Sequence, residues 1–246
     1  MTESEWLACI DPIPMLDFVK GTASDRKLRL FACACFRHVL HLLTDKQISR
    51  KTIEFAERFA DGLATRNELH GHAWGKSGKA GPVVQRKAWD AAADSVESGA
   101  GWVANAVLAL DEEKYKAWLT AWDVAWLQQG YPLSEAVEIA NASLPVEWVA
   151  AGKSARIEER KHQAFVVRDI FGNPFRLPTL DPSWATPSVV QLAQAMYDER
   201  AFDRMAELAD ILEEAGCHDS EVVGHCRQPW PHVRGCSVVD WILGKG

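Results

Sequence analysis

An all-α fold, an orthogonal or irregular bundle of many helices with no significant β-sheet, is predicted by three observations. Apolar residues recur at helical spacing in nearly every periodic segment, and capping residues and glycine stops bracket those segments. Alternating apolar runs bounded by hairpin turns are missing. With 246 residues, 48% of them hydrophobic and 25% charged, the chain can bury a substantial core as one large domain or two small ones.

The first residues, MTESEWLACIDPIP, carry neither the basic start nor the apolar run of a secretory signal, and no stretch reaches the length of a membrane span. A cytoplasmic protein is therefore expected, with its six cysteines as thiols or metal ligands rather than disulfides. Ser24 and Asp25 open a helix through DRKLRLFACACFRHVLHLL. Leu28, Phe31, Cys35, Val39 and Leu42 share one of its faces, while Leu30 and Leu40 on the other side predict packing on more than one side. A second helix is predicted from about Ser49 to Ala60, with Ile53, Ala56, Phe59 and Ala60 inward and Gly62 as its stop.

The stretch 67–82, NELHGHAWGKSGKAGP, has four glycines and reads as a loop that divides an N-terminal helical segment, 1–66, from a middle, 83–164, rich in tryptophan and alanine. Within that middle KAWDAAA and TAWDVAW echo each other, at a spacing too irregular for a solenoid. Trp118, Trp122 and Trp126 stand at i, i+4 and i+8, one indole ridge along a helix. Core packing is the usual fate of such a ridge, and docking of a protein partner is the alternative.

Pro132 and Pro145 punctuate two further helices, and ARIEERKHQAFVVRDIF starts another near Ser154. The proline-rich FGNPFRLPTLDPSWATP reads as an ordered connector, anchored by Phe171, Phe175, Leu177, Leu180 and Trp184. Thr186 and Pro187 make an N-cap and first-turn pair for a helix to about Arg200. Asp203 is expected to cap RMAELADILEEAG, which turns Met205, Leu208, Ile211, Leu212 and Ala215 inward and ends at Gly216. Asp219 caps a short helix through His225, and Gly235 precedes a last one, CSVVDWILG. The C-terminal segment, 165–246, is expected to pack with the N-terminal segment as one domain.

Cys217, His218, His225, Cys226, His232 and Cys236 crowd the last thirty residues. Zinc sites bring ligands together in C-x2-4-C or H-x3-5-H pairs, and only His232-x3-Cys236 approaches that spacing. Buried thiols and capping histidines are thus the simpler reading, no cofactor is expected, and zinc on Cys217, His225, Cys226, His232 and Cys236 is the metal alternative. Cys35 and His38 share a helix side and are possible additions to it, while Cys33 and Cys35, about 200 degrees apart, cannot pair. Cys33, among Arg26, Arg29 and Arg37, is the candidate reactive thiol, because cations lower a thiol's pKa. His70 and His72 have H-x-H spacing in a loop, which polar decoration explains as well as a metal does.

Asp198, Glu199, Arg200, Asp203 and Arg204 flank Phe202, and His232, Arg234 and Asp240 lie close in sequence; helix capping and ion pairing between neighbouring helices is the simpler reading of both groups, and a ligand pocket is the alternative. No phosphate loop, dinucleotide fingerprint, HExxH or GxSxG motif is present, which points away from the major enzyme classes. The net charge of -7 opposes nonspecific binding to nucleic acid or anionic membranes. A local basic face of Arg26, Lys27, Arg29 and Arg37, with Lys76, Lys79, Arg86 and Lys87, can still supply phosphate contacts.

In the phrases EWLACIDPIPMLDFV, SDRKLRLFACACFRHV, AERFADGLAT, RDIFGNPFR, YDERAFDRMAELADILEEAGC and HCRQPWPHVRGCSVVDWILGK the chain resembles a family of uncharacterised bacterial proteins. Members of that family carry an alanine- and tryptophan-rich middle between similar ends. The resemblance covers roughly residues 2–65 and 165–246, implies a framework built from the two ends, and brings no activity with it. From these readings a non-enzymatic helical interaction or scaffold module, presenting the indole ridge to another protein, is the first expectation. A metal- or thiol-dependent regulator using the C-terminal cysteines and histidines is the second, and local nucleic-acid binding the third.

Overall fold

A computed structural model describes residues 1–42, 46–65, 68, 133–142, 145–176 and 181–245. Trp118, Trp122, Trp126, His70, His72, Lys76, Lys79, Arg86, Lys87 and all of the glycine-rich loop except Glu68 lie outside the described residues. The described residues are all-α, with ten α-helices, three short 3-10 turns and no strand. The chain divides into two compact units, one of Met1–Val96 with Lys161–Gly246 and one of Glu97–Arg160.

In the first unit, α1 (Glu3–Ala8) and α2 (Pro12–Val19) begin where the chemistry of their caps places them. Thr2 and Glu5 form a reciprocal capping box, and the Asp11 carboxylate accepts from the Ile13 N–H ahead of Pro12 in the first turn. In the sequence their start signals are T-x-x-E at Thr2–Glu5 and D-P at Asp11–Pro12. Helix α3 (Asp25–Val39) starts at Ser24, whose hydroxyl accepts from Lys27 N–H, and tightens into a 3-10 turn at Leu40–Leu42. It is buried on several sides: Leu28, Leu30, Phe31, Cys33, Cys35, Phe36 and Val39 all lie in the interior. Helix α4 (Lys46–Ala60) packs along it, with Ile53 and Ala56 inward and Phe59 and Ala60 only half-buried. Its buried polar residues are Thr52 and Glu57.

The second unit contains α5 (Leu133–Ala142) and residues 146–160 of α6 (Val146–Phe171). The break expected near Ser154 is absent, and the helix beginning after Pro145 runs on to Phe171. The single Gly152 in its path costs only about 1 kcal/mol, too little to end a helix of 26 residues. Residues 161–171 of α6 belong to the first unit, where Ala164, Val167 and Ile170 pack with Trp6, Leu16 and Phe31 in one hydrophobic core.

A second core gathers α7 (Pro187–Glu199), α8 (Met205–Glu214), α9 (Ser220–Cys226) and α10 (Ser237–Ile242). Thr186 and Asp219 cap α7 and α9 as the sequence predicts. Asp203 does not cap α8: it sits inside a 3-10 turn, Phe202–Arg204, and no side chain caps the helix that follows. Before α10 the chain passes through Gly235 at φ 98°, where a Cβ would lie 3.0 Å from Leu30 Cδ1 and 3.2 Å from Leu30 Cβ. Only glycine allows both that dihedral and that approach to α3.

Ion pairs tie the N-terminal helices to the C-terminal ones. Arg26 bonds both oxygens of Asp240 and, through Nε, Asp61, while the Tyr197 hydroxyl donates to Asp61 at 2.7 Å. Arg234 reaches Asp61 at 3.1 Å and covers the Tyr197 ring at 4.2 Å. Glu57 accepts from Arg37 and from Arg200, the one non-glycine residue with positive φ among those described.

Candidate metal centre

One residue of α6 and three from the C-terminal stretch 225–236 deliver one group of donor atoms. Asp169 stands near the end of α6, His225 in the last turn of α9, His232 in the turn between Pro231 and Gly235, and Cys236 at the N-cap of α10. Each offers one ligand atom, and those four atoms lie within 4.8 Å of one another. Asp169 and Cys236 have no exposed surface, and the side chains of His225 and His232 retain only 10% and 4%.

The Asp169 carboxylate is the hub. Its Oδ1 lies 2.6 Å from His232 Nδ1 and 3.1 Å from His225 Nε2, and its Oδ2 accepts from the Val233 N–H at 2.9 Å. Burial works to raise this acid, but the hydrogen bonds and charges of His225 and His232 outweigh it and hold Asp169 at about 2. A carboxylate only accepts, so the Nδ1 of His232 carries a proton, and on the neutral ring Nε2 then presents a lone pair. That Nε2 is buried and finds no partner among the described residues. An ion held by both Asp169 and His232 takes the place of the proton between them.

Cys236 Sγ lies 3.1 Å from His225 Nε2. Burial and the nearby Asp169 charge push its thiol well above the ordinary range. A Cys-His-Asp relay would need thiol and carboxylate on opposite ring nitrogens. Here one nitrogen of His225, Nε2, faces both, which suits convergence on a shared cation and not proton transfer.

Of the five metal candidates that the sequence offers, Cys217, His225, Cys226, His232 and Cys236, three come together here: His225, His232 and Cys236. Cys217 and Cys226 belong instead to the hydrophobic core around α8 and α9, where burial raises both thiols, that of Cys226 to about 12. The fourth donor, Asp169, comes from RDIFGNPFR, a segment that reads as an ordinary amphipathic helix end. Cys35 and His38 are not part of the group: Cys35 is in the core beside α2, and the His38 ring stacks on His162 at 3.6 Å.

Cys33 also differs from expectation. It is 6% exposed, and burial with the Glu57 charge raises its thiol against the lowering effect of Arg37 and Arg29. Its arginine neighbours are themselves engaged. Arg26 pairs with Asp61 and Asp240, Arg37 pairs with Glu57, Arg29 covers the Phe59 ring at 5.1 Å, and Lys27 donates to the Ile170 carbonyl at 2.8 Å. A phosphate on this face would compete with contacts already made inside the protein.

No described helix is long and apolar enough to cross a membrane. Comparison of the chain with protein-family models, with curated proteins and with solved structures finds no match in any of the three.

Proposed function

We propose that this is a metal-binding protein in which Asp169, His225, His232 and Cys236 hold one zinc-type divalent ion. The observation that carries the reading is the convergence of four donor side chains, Asp169 and Cys236 fully buried and the two histidines nearly so, brought from α6, α9 and the turn into α10, within 4.8 Å. Two imidazoles, a thiol and a carboxylate make a mixed N/S/O set that zinc accepts readily and that calcium or magnesium does not. Four protein donors fill a tetrahedral sphere and leave no open position, so the role that fits is structural or regulatory, not catalytic.

Cys236 must lose its proton to bind, and binding therefore releases it. The bound ion then fastens the C-terminal turn to α6, and the free energy of binding is gained by the folded form alone. A reducing compartment such as the cytoplasm, in which all six cysteines stay as thiols, goes with this reading. A scaffold role for Trp118, Trp122 and Trp126 rests on residues outside the described ones, and no observation favours it over metal binding.

The test is metal analysis of protein purified without a histidine tag, followed by zinc titration. Near-stoichiometric zinc that D169N and C236S both lose is the expected result. Wild-type protein that takes up no zinc at micromolar concentration would overturn the reading.

A further inference from the structure

The four donors of the metal centre are unequally shielded. Asp169 and Cys236 are fully buried, while the side chains of His232 and His225 retain 4% and 10% of their surface. Of the four, His225 alone lines a cavity of about 710 Å3 that lies against α1, the end of α6, α9 and α10. Its volume is within the range of small-molecule sites. Leu7 and Gln228, both exposed, bring this lining to the protein surface.

The walls suit a small, flat, uncharged molecule. Phe171, Trp230 and Trp241 supply half-buried rings, and the Trp230 indole meets the His225 ring edge-on, with centroids 6.4 Å apart. Three acids, Glu3, Glu221 and Asp240, stand against three cations, Lys27, Arg168 and Arg176, so the lining as a whole favours neither sign of charge. Beside His225 on α9, Gly224 leaves room, since a Cβ there would meet nothing within 4 Å.

Access decides which ligand yields. A donor molecule arriving from the cavity meets His225 before the three donors that the protein covers. A closed tetrahedral ion accepts such a donor only by exchange. The bond from the donor nitrogen to the ion forms as the bond from His225 breaks, and no electron or proton changes place in that step.

We propose that the metal centre exchanges its ion through this cavity, and that a small flat nitrogen donor of the imidazole or pyridine type, lying against the indole rings, takes the place of His225 on the ion. This rests on the metal reading above and adds to it a route and a ligand class. Zinc occupancy is then regulated by the donor as well as by free zinc.

The experiment is imidazole rescue of tag-free protein, read by competition with a chelating zinc indicator. H225A should bind zinc about 100-fold more weakly than wild type, and millimolar imidazole should restore about tenfold of that loss. H232A, whose ring does not line the cavity, should gain less than about twofold. G224F places a ring in the open space beside His225; alone it should leave zinc affinity unchanged, and combined with H225A it should cut the rescue several-fold. If H225A does not fold, stripping of zinc by 1,10-phenanthroline decides the question, and should run several-fold slower in G224F than in wild type. Absence of a tight zinc site in wild type would contradict the metal reading and this proposal with it. A tight wild-type site with no rescue of H225A, equal rescue of H232A, or stripping as fast in G224F as in wild type would overturn the route alone.

Discussion

Arg26 donates to both carboxylate oxygens of Asp240, at 2.6 and 3.0 Å, across 214 residues of sequence. Burial falls on the acid, which is 1% exposed. It pushes Asp240 up in spite of the Arg26 and Lys27 charges, while water still reaches part of Arg26. Removing the cation therefore costs more than removing the acid. R26M should destabilise the protein by about 3–5 kcal/mol, because Asp240 and Asp61 stay buried without it. D240N should cost less, since Arg26 keeps Asp61. Denaturant unfolding of both variants and the double variant checks the order.

Gly235 lets the last turn lie against Leu30. G235A adds a Cβ within 3.2 Å of that side chain at a φ of 98°, so both sterics and backbone oppose it. A loss of about 1–3 kcal/mol is expected, or roughly 2–10 °C in melting temperature for a chain of this size. In an L30A background, which carries its own cavity cost, G235A should lose only the backbone part, and thermal melts of both single variants and the double variant resolve it.

The thiols make a kinetic prediction. Cys9 is half-buried and the other five cysteines are buried. In native protein a thiol reagent should modify Cys9 first and reach Cys33 only on unfolding, because burial raises the Cys33 thiol and removes the thiolate. Mass spectrometry of partially labelled protein identifies the site; rapid labelling at Cys33 would contradict this account.

Glu57 governs an acid limb of stability. Burial works to raise this acid, but Arg37 and Arg200 prevail and its pKa in the folded protein is lowered. The group therefore stabilises the fold above its unfolded value near 4.3, and that contribution is lost as pH falls below this value through the folded one. E57Q should melt at a lower temperature at pH 7, and the gap from wild type should narrow toward pH 3. Melts across that range show whether it does.

The helices were legible where local chemistry sets them. Ser24, Thr186, Asp219 and Gly216 act at the ends that their residue types announce. Asp203 and Ser154 misled for the same reason in reverse: each offers a plausible start, but Asp203 sits inside a 3-10 turn and Ser154 inside the unbroken helix α6. The candidate site was half legible. His225, His232 and Cys236 stood out by density, whereas Asp169 lies 56 residues before His225 and has no local signature. Likewise His232, Arg234 and Asp240, neighbours in sequence, pair with Asp169, Asp61 and Arg26 and not with one another. Such partners are chosen by tertiary packing, which a spacing rule does not encode.

The direct measurement is a competitive zinc titration of tag-free protein against a chelating indicator, for wild type, D169N, H232Q and C236S. One zinc per chain is predicted, with affinity reduced about 10- to 100-fold or more in each variant, and with C217S unchanged. Absence of a tight site in wild type, or loss in C217S with retention in D169N, would contradict the assignment of Asp169, His225, His232 and Cys236 as the metal centre.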